Sequence, residues 1–148
     1  MSSKNRLAAC AAFVCLACTS LTAIADEHAY SEGAVVNMSR IRTADGKLDE
    51  YMKWIDTSWK QYQELGIKAG DVISYQVLLV EPRSPDDPDI ILIVTYKNWA
   101  SLDGSIAKND AIAKQVEGSV SASNQSMADR GSMRRVLGSE TMQELKLK

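Results

Sequence analysis

The chain is predicted to fold as an α+β domain with the element order strand, helix, strand, strand, helix, strand. Three observations carry that prediction. Leu48, Met52, Ile55, Trp59 and Tyr62 recur at three- and four-residue steps, the period of an amphipathic helix. Ile90 to Val94 is an unbroken aliphatic run between a proline-bearing loop and "KNWASLDG", as a buried strand requires. Two more stretches, "AVVNMSRIR" and "VISYQVLLV", are dense in strand formers. That order is the split βαβ arrangement of a ferredoxin-like βαββαβ sandwich, with a four-stranded antiparallel sheet and two helices on one face.

Residues 1–25 stand apart from this domain. Lys4 and Arg6 precede "LAACAAFVCLACTSLTAIA", an uncharged and mostly apolar stretch ending in Ala23-Ile24-Ala25, a small-x-small cleavage pattern. A secretory signal peptide is therefore expected, with export to the periplasm or beyond and a mature chain from Asp26. Cys10, Cys15 and Cys18 all lie inside it, which leaves the mature chain without a disulfide, a thiolate nucleophile or a cysteine metal site. Cys15 occupies the place where a lipoprotein signal carries Leu, which argues against a lipid anchor on Cys18. Residues 26–32 are read as a flexible leader and 33–148 as one domain. Without Lys4 and Arg6, the 17 basic side chains become 15 against 19 acidic ones. A mildly acidic domain without a basic stripe argues against nucleic acid as partner. The one basic grouping, Arg130 with Arg134 and Arg135, reads as a solvated helix end.

The first strand is expected over Ala34 to Arg42, followed by a turn at "TADG" in which Asp45 is placed to cap the helix. Asp49 and Glu50 suit its first turn. Gly66 is the expected stop of that helix. Val72 to Val80 forms the second strand, and "EPRSPDDPD" is an acidic loop to the third, Ile90 to Tyr96. Asn98 caps a second helix at Trp99, Gly104 interrupts or bends it, and Ile112, Val116, Val120 and Met127 mark its stripe from about Asp110 to Asp129. Arg134 to Leu147 closes the chain as an edge strand.

Both faces of the inner strands are apolar. In the third, Ile90, Leu92, Val94 and Tyr96 alternate with Ile91, Ile93 and Thr95. In the second, Ile73, Tyr75, Val77 and Leu79 alternate with Val72, Leu78 and Val80. A solvent-facing sheet would alternate apolar with polar residues, so a second subunit is predicted to cover the outer face, giving a homodimer with sheets packed face to face. Element order, two-sided strands and the "YKNWASLD" strand-to-helix junction together resemble the dimeric α/β-barrel superfamily, which includes antibiotic-biosynthesis monooxygenase-like and NIPSNAP-like proteins. The resemblance is one of fold, and it implies a pocket between sheet and helices. It does not choose among functions.

Sequence motifs for chemistry are sparse. His28 is the one histidine and lies in the leader, so neither a Ser-His-Asp triad nor a haem axial ligand is supplied by the domain. No cofactor or metal is expected. The acidic loop lacks the spacing and terminal Glu of a calcium-binding hand, and glycine-rich phosphate loops are absent. Asn37, Trp59, Tyr62, Tyr75, Tyr96 and Trp99 remain as candidate ligand-binding residues, amphipathic rings with a few polar points such as Gln76 among aliphatic neighbours. Three readings follow. The first is an exported domain that binds a small apolar or aromatic molecule. The second is a cofactor-independent monooxygenase-like enzyme, though no buried ionisable base stands out in the strands. The third is a non-catalytic interaction protein acting through its dimer surface.

Overall fold

The computed structural model describes residues 28–148. The predicted signal peptide, its cleavage site, Cys18 and the first leader residues lie outside the described residues. Among the described residues there are four strands: β1 (Tyr30–Thr43), β2 (Val72–Leu79), β3 (Ile90–Tyr96) and β4 (Arg134–Leu147). They form one sheet in the order β2-β3-β1-β4, with every neighbouring pair antiparallel. Helices α1 (Leu48–Trp54), α2 (Lys60–Ala69), α3 (Ser105–Val116) and α4 (Val120–Asp129) accompany it, the first two joined by a π-helical stretch, Ile55–Trp59.

The register fixes which strand residues the helices cover. Val35, Asn37, Ser39 and Ile41 of β1 stand beside Tyr96, Val94, Leu92 and Ile90 of β3, and Tyr75 and Val77 of β2 continue the row, while Leu79 at its end stays 74% exposed. Ile41, Tyr51, Ile55, Ile90 and Leu92 form the buried cluster, with Leu48, Met52, Trp54, Trp59 and Val77 packed against it. Fully burying a side chain of this size is worth about 1.5–3 kcal/mol, so the cluster holds α1 to the sheet. Tyr51, 1% exposed, lies outside the predicted helical stripe yet is the largest fully buried side chain.

Several local expectations are corrected. β1 starts at Tyr30, so Tyr30 to Glu32 of the expected leader pair with Leu147 to Leu145 instead of lying loose. Asp45 does not cap α1: Lys47 holds the cap position and its ammonium meets Glu50 Oε2 at 2.6 Å. The helix also runs through Gly66 to Ala69, and Gly70, at φ +80°, ends it. There the Gly70 N–H donates to Ile67 O and the Asp71 N–H to Gly66 O, the paired bonds of a Schellman stop. Gly66 serves packing, since a Cβ there would lie 2.6 Å from Val72 Cγ2. A bulge at Ile73 puts Val72 on the helix-covered face with Tyr75 and leaves Ile73 56% exposed.

The second helical region is divided. Asn98 caps a short 3-10 turn, Trp99–Leu102, by accepting from the Ser101 N–H at 3.2 Å. α3 then begins at Ser105, before the expected Asp110, and Gly118 at φ +83° breaks it from α4. Ser119 restarts the helix by accepting from the Ala122 N–H at 3.0 Å.

Candidate functional site

A cavity of about 350 Å³ lies between the helices, with walls from the α1–α2 stretch, α3, α4 and the 3-10 turn that follows α4. Its aromatic residues come from the first helical stretch. Thr57 Oγ1 donates to Lys53 O at 2.8 Å, a side-chain bond back onto the helix within the π-helical stretch. That stretch ends at Trp59, which lines the cavity and also meets the Tyr75 ring edge-on, with centroids 5.4 Å apart. Tyr62 lines the same cavity, and its hydroxyl lies 3.0 Å from Ser123 Oγ on α4.

Trp54 and Arg130 complete the wall. Tyr51 stacks on Trp54 with centroids 5.7 Å apart, and the Arg130 guanidinium carbon sits 4.1 Å from the centroid of the Trp54 ring. Arg130 is 7% exposed, which corrects its reading as a solvated helix end. Its Nη1 donates to Ser126 Oγ at 2.9 Å, while its Nε and the Trp54 Nε1 are buried without an acceptor. A buried donor left unpaired costs about 1–3 kcal/mol. Burial, and then the neighbouring Arg134, pulls Arg130 below its ordinary value, partly countered by Glu117. An arginine nevertheless stays charged at neutral pH. Burial pushes the Tyr51 hydroxyl up, against the pull of Arg134 and Arg130.

The residues proposed from sequence do not converge on one site. Trp59 and Tyr62 meet in this cavity. Tyr75 packs beside Trp59 in a separate depression of about 260 Å³, and its hydroxyl donates to Glu64 at 2.6 Å. Tyr96 lines a smaller space of about 140 Å³ between sheet and helices, with Tyr62, Val72 and Ile112. Asn37 donates to Thr141 Oγ1 at 2.9 Å across β1 and β4, and Trp99, 48% exposed, donates its indole N–H to Gln143 at 3.0 Å. The larger cavity thus lies among the helices, whereas a pocket between sheet and helices was expected. A broader groove of about 520 Å³ beside α2 and α3 is walled by exposed Gln61, Glu64, Lys68 and Gln115, so it offers no enclosed surface.

No protein-family model matches the chain, and no curated protein matches it. Solved structures do. Protein SO0527 from Shewanella oneidensis is 18% identical with a TM-score of 0.50, covering 79% of this chain and 96% of its own. HapK from Hahella chejuensis is 11% identical at TM-score 0.47, covering 74% and 91%. A dimeric ferredoxin-like protein from an uncultured marine organism is 13% identical at TM-score 0.43, covering 78% and 94%. The fold is ferredoxin-like. At such identities likeness reaches the chain path and stops there, because the side chains of a site are free to differ on a shared fold.

Sequence reasoning missed Trp54, Tyr51 and Arg130. The signal for the first two was present: Tyr51, Trp54 and Ile55 stand three and four residues apart, a second apolar row beside the one chosen. Arg130 gave none, since burial of a cation is decided by which ring lies above it.

Proposed function

We propose that the protein binds a small aromatic or apolar molecule in the cavity among its helices. The observation that carries the reading is the wall itself: Trp54, Trp59 and Tyr62 supply flat apolar area, and Asn109, Ser123 and Asn124 supply polar points, around a volume of about 350 Å³. Ligand sites are typically built this way, with apolar walls and a few placed polar groups. Aromatic rings give contact area with little side-chain entropy to lose, and Met127 at the same wall is an adaptable filler.

A thermal-shift screen of one- and two-ring aromatic compounds tests the reading. At least one class should raise the melting temperature, and Trp59→Ala should abolish that shift while the chain still melts cooperatively. A flat screen, or a shift untouched by Trp59→Ala, would remove the cavity as a binding site.

The reading includes a second copy of the chain on the outer face of the sheet. Val36, Met38, Ile91 and Ile93 are half-buried there, and Leu78 and Met142 are each 42% exposed. The acidic loop reaches one end of this face, where Asp86 pairs with Arg135 at 3.1 Å. Tyr30 to Glu32 continue β1 alongside β4. Neither accounts for the apolar middle, which a self-complementary contact would bury.

A further inference from the structure

Taking the cavity among the helices as a binding site, we infer that Tyr62 limits the length of its ligand, as the partition between that cavity and the smaller space between sheet and helices. The two spaces, about 350 Å³ and about 140 Å³, share three wall residues: Tyr62 and Gln63 of α2 and Asn109 of α3. A side chain with one flank in each space is what keeps them apart. Asn109 is exposed and stands at the solvent edge. Gln63 is turned back on its own helix, where its Nε2 donates to Trp59 O at 3.4 Å. Tyr62 reaches across to α4, where its hydroxyl lies 3.0 Å from Ser123 Oγ. The phenol ring is thus held at both ends, by its own helix and by the neighbouring one, and its flat bulk closes the passage.

The smaller space is suited to hydrocarbon. Val72, Tyr96, Leu102 and Ile112 supply its apolar wall. Its charged residues are already matched with each other: Lys108 Nζ lies 3.0 Å from Asp71 Oδ2 and donates to Ser101 O at 3.0 Å. A charged group entering there would have to displace those bonds, whereas an alkyl chain adds apolar contact without disturbing them. With the partition in place, a ligand fills the larger cavity and ends at Tyr62. Without it, an apolar tail of the same ligand runs on toward Ile112. The ligand class is thereby narrowed to aromatic molecules compact enough to stop at that ring.

Calorimetric titration of the chain from Asp26 onward with a series of phenols, from 4-ethylphenol to 4-octylphenol, tests this. Each buried methylene should raise the affinity about fourfold, and in the parent chain that gain should stop at a length within the series. In Tyr62→Ala the gain should continue beyond that length, while Tyr62→Phe, which keeps the ring, should stop where the parent does. Because Tyr62 is half-buried and its truncation could unfold the chain, Tyr62→Leu gives a second measurement, with the break displaced in the same direction. Ile112 lines the smaller space and not the larger, so Ile112→Phe added to Tyr62→Ala should bring the break back. No break in the parent, or a break that stays in place in both truncations, would overturn the partition and leave the cavity standing as a binding site. Loss of short and long phenols alike in truncated chains that still melt cooperatively would make Tyr62 a ligand contact, and would overturn the partition as well. If no phenol binds the parent, the inference and the binding reading fall together.

Discussion

At the scale of single residues, Gly66 and Tyr51 carry consequences that can be measured. Gly66 is buried in α2 because Val72 leans into the space a Cβ would fill. Gly66→Ala should therefore destabilise the fold by about 1–3 kcal/mol despite the better helix propensity of alanine, since overpacking outweighs it. Urea denaturation checks this, and the same substitution in a Val72→Ala background should cost clearly less. Equal costs in both backgrounds would remove Val72 as the cause. Tyr51 is held above its ordinary value of 10.0 by burial. Below pH 10 its hydroxyl is neutral in folded and unfolded chains alike, so its contribution is intact. As pH rises through the raised folded value, the unfolded chain ionises first and that stability is lost. Tyr96, raised by burial as well, adds to the same alkaline decline. Tyr51→Phe should flatten the fall in stability above pH 10, and an unchanged slope would show that other groups set it.

At the scale of elements, β3 and β4 were legible from the sequence to the residue, because punctuation and pattern coincide at their ends. Prolines and acidic residues stop one run before Ile90, and Arg134 follows a 3-10 turn at Arg130–Ser132. The helices were legible as helices but not in their breaks. Gly66 and Gly70 stand four residues apart with equal claim to end α2, and what separates them is the left-handed backbone that Gly70 adopts to return carbonyl bonds at the helix end. Gly118 adopts the same left-handed backbone between α3 and α4, inside a Ser- and Ala-rich stretch whose weak periodicity reads as continuous. The bulge at Ile73 is a further example: it shifts Val72 to the other face, and alternation counted along one strand has no access to its partner's register.

At the scale of the whole molecule, the doubled apolar face of β3 argues for a partner. Ile93 sits at the middle of the outer face, beside Met38 of β1 and Gln76 of β2. Sedimentation of the chain from Asp26 onward at micromolar concentration should give a dimer, and Ile93→Glu should give a folded monomer with an unchanged circular dichroism spectrum. A monomeric parent would leave the outer face without its proposed cover. Dimer loss that also abolished ligand binding would tie the cavity to assembly, whereas retained binding would place it within one chain.

By itself the sequence determined the order of elements, the ferredoxin-like class and the two-sided character of the inner strands. These follow from local pattern, since burial on each face is written as residue type at fixed spacing. The tertiary structure alone decided where the cavity lies and what its wall offers. Trp54 and Arg130 are far apart in the chain, and a cation over a ring with unpaired donors arises when α1 meets the end of α4. Periodicity reports that a side chain faces inward, but which atom it finds there is settled by packing between distant elements.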